Sequence, residues 1–94
     1  MYAIITGASR GIGLATAEKL AAEGFDIAIC ARNAAVLKEA GGSIQQQRQG
    51  AKVLAETVDM GDKQAVLGFA KKIKETFGDT PAILVNNAGI FTPG

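Results

Sequence analysis

The chain has 94 residues, of which 48% are hydrophobic and 20% are charged, and these values predict one small globular domain at most. Ten Lys and Arg residues balance nine Asp and Glu residues, for a formal net charge of +1. This balance gives no basis for a nucleic acid or an anionic membrane as partner. The sequence contains no histidine and one cysteine, which excludes histidine-based triads, histidine metal sites and an internal disulfide.

Four short apolar runs alternate with three longer segments of helical character. In chain order, strands are predicted over Tyr2–Thr6, Asp26–Ala31, Lys52–Val58 and Ala82–Val85, and helices over Gly11–Glu23, Ala34–Gln49 and Asp62–Phe77. In the first helix the expected apolar positions are Ile12, Ala15, Thr16 and Leu20. In the second, a bend or interruption is expected at Gly41-Gly42, and Gln45–Gln49 is expected to be a solvated helix end. No run approaches the ~18 apolar residues of a membrane span, and no basic leader is seen, so a cytoplasmic protein is expected.

The order strand, helix, strand, helix predicts an α/β fold, a Rossmann-type doubly wound parallel sheet. Right-handed crossovers place the first three strands side by side, and the fourth returns to the other side of the first strand. The predicted strand order is therefore 3-2-1-4. Such sheets bind ligands beyond the carboxyl ends of their strands, so the residues that follow each strand are the candidate site.

The first strand leads into the turn "TGASRGIG", which holds Gly7, Gly11 and Gly13 and opens a helix. Unpaired N–H groups and the helix dipole at such a helix start favour an anion such as a pyrophosphate. The spacing is G-x-x-x-G-x-G, which differs from the G-x-G-x-x-G dinucleotide fingerprint. A glycine-rich turn without a ligand is the alternative interpretation.

After the second strand stands Arg32, where NAD-binding folds place an acid for the ribose 2′-hydroxyl. A guanidinium suits a 2′-phosphate instead, and Arg10 in the glycine loop is placed to join it. The alternative is a solvated arginine at a helix start.

The third and fourth strands are also followed by residues suited to a nucleotide. Asp59 is a candidate acceptor for an adenine amino group, with Met60 beside the ring. Asn87 offers amide hydrogen bonds, and Ala88 and Gly89 leave room for a sugar. Simple turns are the alternative in both places, but the four motifs together are hard to explain as turns alone.

With these motifs, the chain resembles the short-chain dehydrogenase/reductase family over essentially its whole length. "TGASRGIG" resembles the family's T-G-x-x-x-G-x-G cofactor loop, "NNAG" its N-N-A-G segment, and "VDMGD" its adenine-contacting D-[VLM]-x-D stretch; the ketoacyl-reductase-like branch is the most similar. The resemblance implies an NADP(H) site, with NAD(H) less favoured. It assigns the cofactor loop to Gly7, Ser9, Arg10, Gly11, Ile12 and Gly13, the 2′-phosphate to Arg32, the adenine to Asp59 and Met60, and the nicotinamide ribose to Asn87, Ala88 and Gly89.

The family's catalytic Ser and Y-x-x-x-K pair have no counterpart in these 94 residues, because Tyr2 is the only tyrosine and Thr6 stands where the lysine would be. The resemblance therefore implies the cofactor-binding half of an oxidoreductase acting on a small carbonyl or alcohol substrate, homo-oligomeric at full length and inactive as this half alone. A free-standing nucleotide-binding or interaction module is the alternative. A sugar-nucleotide epimerase or dehydratase is less favoured, because its glycine loop usually runs G-x-x-G-x-x-G.

Overall fold

The computed structural model describes residues 1–7, 11–78 and 83–86. Within these ranges strands and helices alternate in the order β1 (Tyr2–Thr6), α1 (Gly11–Ala22), β2 (Asp26–Ala31), α2 (Ala34–Gln45), β3 (Val53–Thr57), α3 (Lys63–Phe77) and β4 (Ile83–Asn86). None of the helices in these ranges has the length and apolar character needed to cross a bilayer.

The strands form one parallel sheet in the order β3-β2-β1-β4. The predicted doubly wound α/β fold and its 3-2-1-4 order are therefore confirmed. The largest difference in bounds concerns α2, which ends at Gln45 and runs without a break through Gly41 and Gly42. The expected interruption at the glycine pair is absent because both residues keep the helical backbone.

Two separate apolar cores cover the two faces of the sheet. On one face, Ile5, Ile27 and Ile29 pack against α1 and α2, and all three are fully buried. On the other face, Ala28 and Cys30 pack with Phe69 and Ile73 of α3. Alternate residues of β2 thus point to opposite cores, which is why this strand is apolar at every position after Asp26.

The buried face of α1 matches the predicted stripe at Leu20, which packs against the core, and differs from it elsewhere. Gly13, Ala17 and Ala21 are buried, whereas Ile12 is 79% exposed and Ala15 is exposed. Small residues at a spacing of four let the helix lie close on the sheet, which a stripe of larger side chains would not allow. The prediction followed apolar character, and here residue size decides which face is buried.

Side chains and glycines define the helix ends. Asp62 is the N-cap of α3, and its carboxylate accepts hydrogen bonds from the backbone N–H groups of Gln64 and Ala65. At the end of α1, Gly24 has φ +108°. The N–H groups of Gly24 and Phe25 donate to the carbonyls of Ala21 and Leu20, which is the Schellman arrangement.

Arg48 corrects the expectation that Gln45–Gln49 is simply a solvated helix end. Its Nε donates to the carbonyl of Ala21 at 2.9 Å, and one Nη donates to the carbonyl of Phe25 at 3.0 Å. The same nitrogen lies 3.2 Å from Oδ1 of Asp26, which also accepts from the N–H of Lys52 at 3.0 Å. Arg48 therefore ties the end of α1, the start of β2 and the entry to β3 together.

We expect Gly42→Ala to raise the free energy of unfolding by about 0.5–1 kcal/mol, because alanine is the better residue inside a helix. A Cβ built at Gly42 meets no atom within 4 Å, so no clash opposes this gain. The measurement is a urea unfolding curve of the purified protein. Gly24→Ala is the matched control, and its positive φ predicts a loss instead. Equal effects of the two variants would contradict the prediction.

Candidate functional site

The parallel register brings the carboxyl ends of the strands to one edge of the sheet. Thr6, the last residue of β1, pairs with Cys30 of β2 and with Asn86 of β4. Ala31, the last residue of β2, pairs with Thr57 of β3. The segments that follow these strands therefore lie side by side along one edge, which we call the carboxyl edge.

The glycine loop starts and ends with backbone that favours glycine. Gly7 has φ +67° and Gly11 has φ +65°, both in the left-handed region. A Cβ at Gly11 would meet no atom within 4 Å, so its conformation, and not crowding by the described residues, makes glycine suitable there. Gly11 begins α1, and the next residue, Ile12, is exposed beside that helix start.

A hydrogen bond joins this loop to the end of β2. The N–H of Gly7 donates to the carbonyl of Cys30 at 2.9 Å. Arg32 follows two residues later, is exposed, and has no ion pair with the described residues. The neighbouring Asn33 is the N-cap of α2, and its Oδ1 accepts from the N–H of Val36 at 3.0 Å. The guanidinium of Arg32 thus lies just before α2 and near the glycine loop, and neither residue next to it in sequence carries a carboxylate.

Asp59 and Met60 stand in the turn between β3 and α3. Oδ1 of Asp59 accepts from the N–H of Gly61 at 2.9 Å, and the carbonyl of Asp59 accepts from the N–H of Asp62 at 2.9 Å. Asp59 therefore forms the turn that the sequence analysis gave as the alternative to an adenine contact. Met60 is 39% exposed, so part of its side chain faces solvent in this turn.

Cys30 is fully buried, as expected for a small residue of a central strand. Its Sγ lies 3.9 Å from Sδ of Met60. Burial raises the pKa of the Cys30 thiol, and a backbone hydrogen bond from Gly7 offsets part of this rise. The thiol is therefore protonated at neutral pH and can act as a donor to the thioether.

The described residues include seven of the twelve predicted site residues. Gly7, Gly11, Ile12, Gly13, Arg32, Asp59 and Met60 follow β1, β2 and β3 toward the carboxyl edge. Ser9, Arg10, Asn87, Ala88 and Gly89 lie outside the described residues. The described part of the chain has no group of three or more His, Cys, Asp or Glu residues arranged to hold a metal ion.

The sequence interpretation missed the link that Cys30 forms between two parts of this edge. Its carbonyl contacts the glycine loop and its side chain contacts Met60. One signal was available, because Cys30 is the next-to-last residue of the predicted second strand. A residue there, in a central strand, lies between the loops that follow both neighbouring strands.

The whole chain, residues 1–94, matches the family model described as short chain dehydrogenase. The chain belongs to the short-chain dehydrogenase family. It is 41% identical over 88 residues to an uncharacterized oxidoreductase of Staphylococcus saprophyticus, a match that covers 94% of this chain and 37% of that protein. The chain thus spans about a third of the length of that relative, as it does for a gluconate 5-dehydrogenase of Gluconobacter oxydans and an uncharacterized oxidoreductase of Bacillus subtilis.

Solved structures of other short-chain dehydrogenases share this fold. The L-sorbose reductase of Gluconobacter frateurii, complexed with NADPH and L-sorbose, is 41% identical with a TM-score of 0.86, over 97% of this chain and 34% of that one. An NADPH-bound short chain oxidoreductase of Pseudomonas aeruginosa is 42% identical with a TM-score of 0.87, over 94% and 34%. A putative betaketoacyl-ACP reductase is 35% identical with a TM-score of 0.79, over 97% and 34%.

Proposed function

We propose that this chain is the cofactor-binding half of an NADP(H)-dependent oxidoreductase that acts on a small carbonyl or alcohol substrate. One observation carries the proposal. The N–H of Gly7, whose backbone is left-handed, donates to the carbonyl of Cys30 at 2.9 Å. This bond places the glycine turn beside the end of β2, and the exposed Arg32 follows Cys30 by two residues. Backbone donors at a helix start and a guanidinium on one edge suit a ligand with two separate phosphate groups.

The described residues fit this cofactor by their chemistry. The start of α1 would bind the pyrophosphate through backbone N–H groups, with Gly7 and Gly11 supplying the turn and Ile12 an exposed apolar contact. Asp59 and Met60 would border the adenine. When bound, the cofactor would donate a hydride to a carbonyl substrate or accept one from an alcohol, and these residues would hold and orient it.

The choice of NADP(H) over NAD(H) rests on Arg32. A guanidinium pairs with phosphate oxygens in bidentate fashion, whereas an NAD site needs an acceptor for the ribose 2′-hydroxyl. Ala31 and Asn33, which flank Arg32, carry no charge. The two NADPH-bound relatives described above support the same choice.

The catalytic groups belong, in this proposal, to a part of the protein outside these 94 residues, as does most of the substrate pocket. The exposed apolar edge of the sheet supports this. Among the described residues β4 pairs with β1 alone, and Leu84 on β4 is 66% exposed. An open apolar edge strand is an aggregation liability that proteins usually cover.

Homo-oligomeric assembly and a cytoplasmic location remain predictions.

The test is a fluorescence titration of the full-length protein with NADPH and, separately, with NADH. We expect saturable binding of NADPH with a Kd at least about tenfold below that of NADH, a difference of about 1.4 kcal/mol. NADPH oxidation in the presence of small ketones and aldehydes then distinguishes an oxidoreductase from a binding module, because a module binds the cofactor and oxidises none of it. Failure to bind either nucleotide would refute the proposal.

A further inference from the structure

Cys30 contacts both the glycine loop and the turn that follows β3. Its carbonyl accepts from the N–H of Gly7 at 2.9 Å, and its Sγ lies 3.9 Å from Sδ of Met60. The cysteine is fully buried in the core between the sheet and α3. One residue of the Cys30–Met60 contact is therefore fully buried, and the other is partly exposed to solvent.

Met60 needs such a restraint more than most side chains. An unbranched methionine has three rotatable bonds and adapts to irregular surroundings. The backbone of its turn is held by the hydrogen bonds of Asp59 to Gly61 and Asp62, but these bonds leave the Met60 side chain free to rotate. The Cys30 thiol is the partner that the described residues offer to the thioether.

We propose that the Cys30 side chain is a positioning residue, which holds the Met60 thioether so that its exposed part forms one wall of the adenine site. This inference rests on the proposed function, because Met60 borders an adenine only if the carboxyl edge binds NADP(H). Cys30 itself has no access to the nucleotide, and it acts through Met60. Because Cys30 already holds Met60, less side-chain entropy is lost when the nucleotide binds.

The test uses the full-length protein and two ligands, NADPH and 2′,5′-ADP, which carries the adenine and the 2′-phosphate without the nicotinamide. Loss of one weak hydrogen bond predicts that Cys30→Ala raises the Kd of both ligands by the same factor, about three- to tenfold. A Met60→Ala variant should show a similar loss. Adding Cys30→Ala to Met60→Ala should then change neither Kd further, because the residue through which Cys30 acts is gone.

Ile73→Val is the matched control, since Ile73 lies buried in the same core as Cys30. Ile73 takes no part in the hydrogen bonds that join Cys30 to Met60 and to Gly7. It should lower stability and leave both Kd values unchanged. Met60→Leu keeps the side chain's bulk, removes the sulfur acceptor and leaves the core intact, and it should weaken 2′,5′-ADP binding even if Cys30→Ala folds poorly.

Two sets of results would overturn the inference and leave the proposed function standing: wild-type-like binding of 2′,5′-ADP by Met60→Leu or Cys30→Ala, or a full Cys30→Ala effect in the Met60→Ala background. Absence of NADPH binding by the wild-type protein would instead overturn the proposed function, and the inference with it.

Discussion

Arg32→Asp is expected to raise the Kd for NADPH about 100-fold, while the Kd for NADH stays the same or falls. The substitution removes a charged hydrogen-bonding partner of the proposed 2′-phosphate and puts a like charge in its place. A hydrogen bond to a charged group contributes about 1.5–3 kcal/mol, and a hundredfold change corresponds to about 2.7 kcal/mol. The same carboxylate can accept a hydrogen bond from the 2′-hydroxyl of NADH. Fluorescence titrations of the full-length protein with both nucleotides measure the two Kd values.

Two control variants separate local recognition from general electrostatics. Lys38→Asp makes the same change of charge on an exposed residue of α2, and we expect it to alter the ratio of the two Kd values little. Arg32→Lys keeps the charge and loses the planar fork, so an intermediate loss is expected. A ratio that changes as much in Lys38→Asp as in Arg32→Asp would argue against a specific role for Arg32.

Arg48→Met is expected to lower the free energy of unfolding by about 2–3 kcal/mol. Methionine retains much of the apolar stem and removes the donors to the carbonyls of Ala21 and Phe25 and to Asp26. The carbonyl of Ala21 lies in the last turn of α1, where it also accepts from the N–H of Gly24, and the carbonyl of Phe25 lies between α1 and β2. The Arg48 side chain is 32% exposed, so water replaces part of the lost bonding, and the expected loss is correspondingly below that of a fully buried pair. Urea unfolding of the two proteins provides the measurement.

Lys19→Met is the comparison for Arg48→Met. Lys19 forms one exposed ion pair with Glu23, an i,i+4 contact of 3.7 Å, and such pairs contribute about 0.3–0.5 kcal/mol. If the Arg48 network stabilises the fold as described, the Arg48 variant loses several times more stability than the Lys19 variant. Equal losses would show that Arg48 is held in place without contributing to stability.

The topology of this chain could be predicted from local patterns and general rules. Short apolar runs such as Asp26–Ala31 indicated strands covered on both faces, and the right-handed crossover rule then ordered them. The third helix was predicted to start at Asp62, where a negative charge suits the helix dipole, and in the structure Asp62 is the N-cap of α3. The buried face of α1 could not be predicted in the same way, since it depends on how closely the helix approaches the sheet. That distance is set by Gly13, Ala17 and Ala21 together with the strand residues beneath them.

For the candidate site, the sequence indicated which segments meet and left out the contacts between them. Gly7, Arg32 and Asp59 each follow a predicted strand, so a parallel sheet brings their segments to one edge. Arg48 follows no predicted strand, and for Cys30 the only signal was its place near the end of the predicted second strand. Two of the three partners of Arg48 are backbone carbonyls, which have no signature in the sequence, and the third is Asp26, 22 residues earlier. The Cys30–Met60 contact depends on a turn conformation.

Asp26 begins β2 and Arg32 directly follows its last residue. The Arg48 network, which affects stability, is therefore separate from the residue proposed to select the nucleotide. Six residues at about 3.3 Å each place Asp26, a partner of Arg48, nearly 20 Å from Arg32. Substitutions that far apart, with no shared partner, usually have additive effects. An Arg32→Asp/Arg48→Met double variant should therefore show the Kd change of Arg32→Asp and the loss of unfolding free energy of Arg48→Met, each as large as in the single variant. A substitution at Arg32 that changes the nucleotide preference should therefore need no compensating substitution in the Arg48 network.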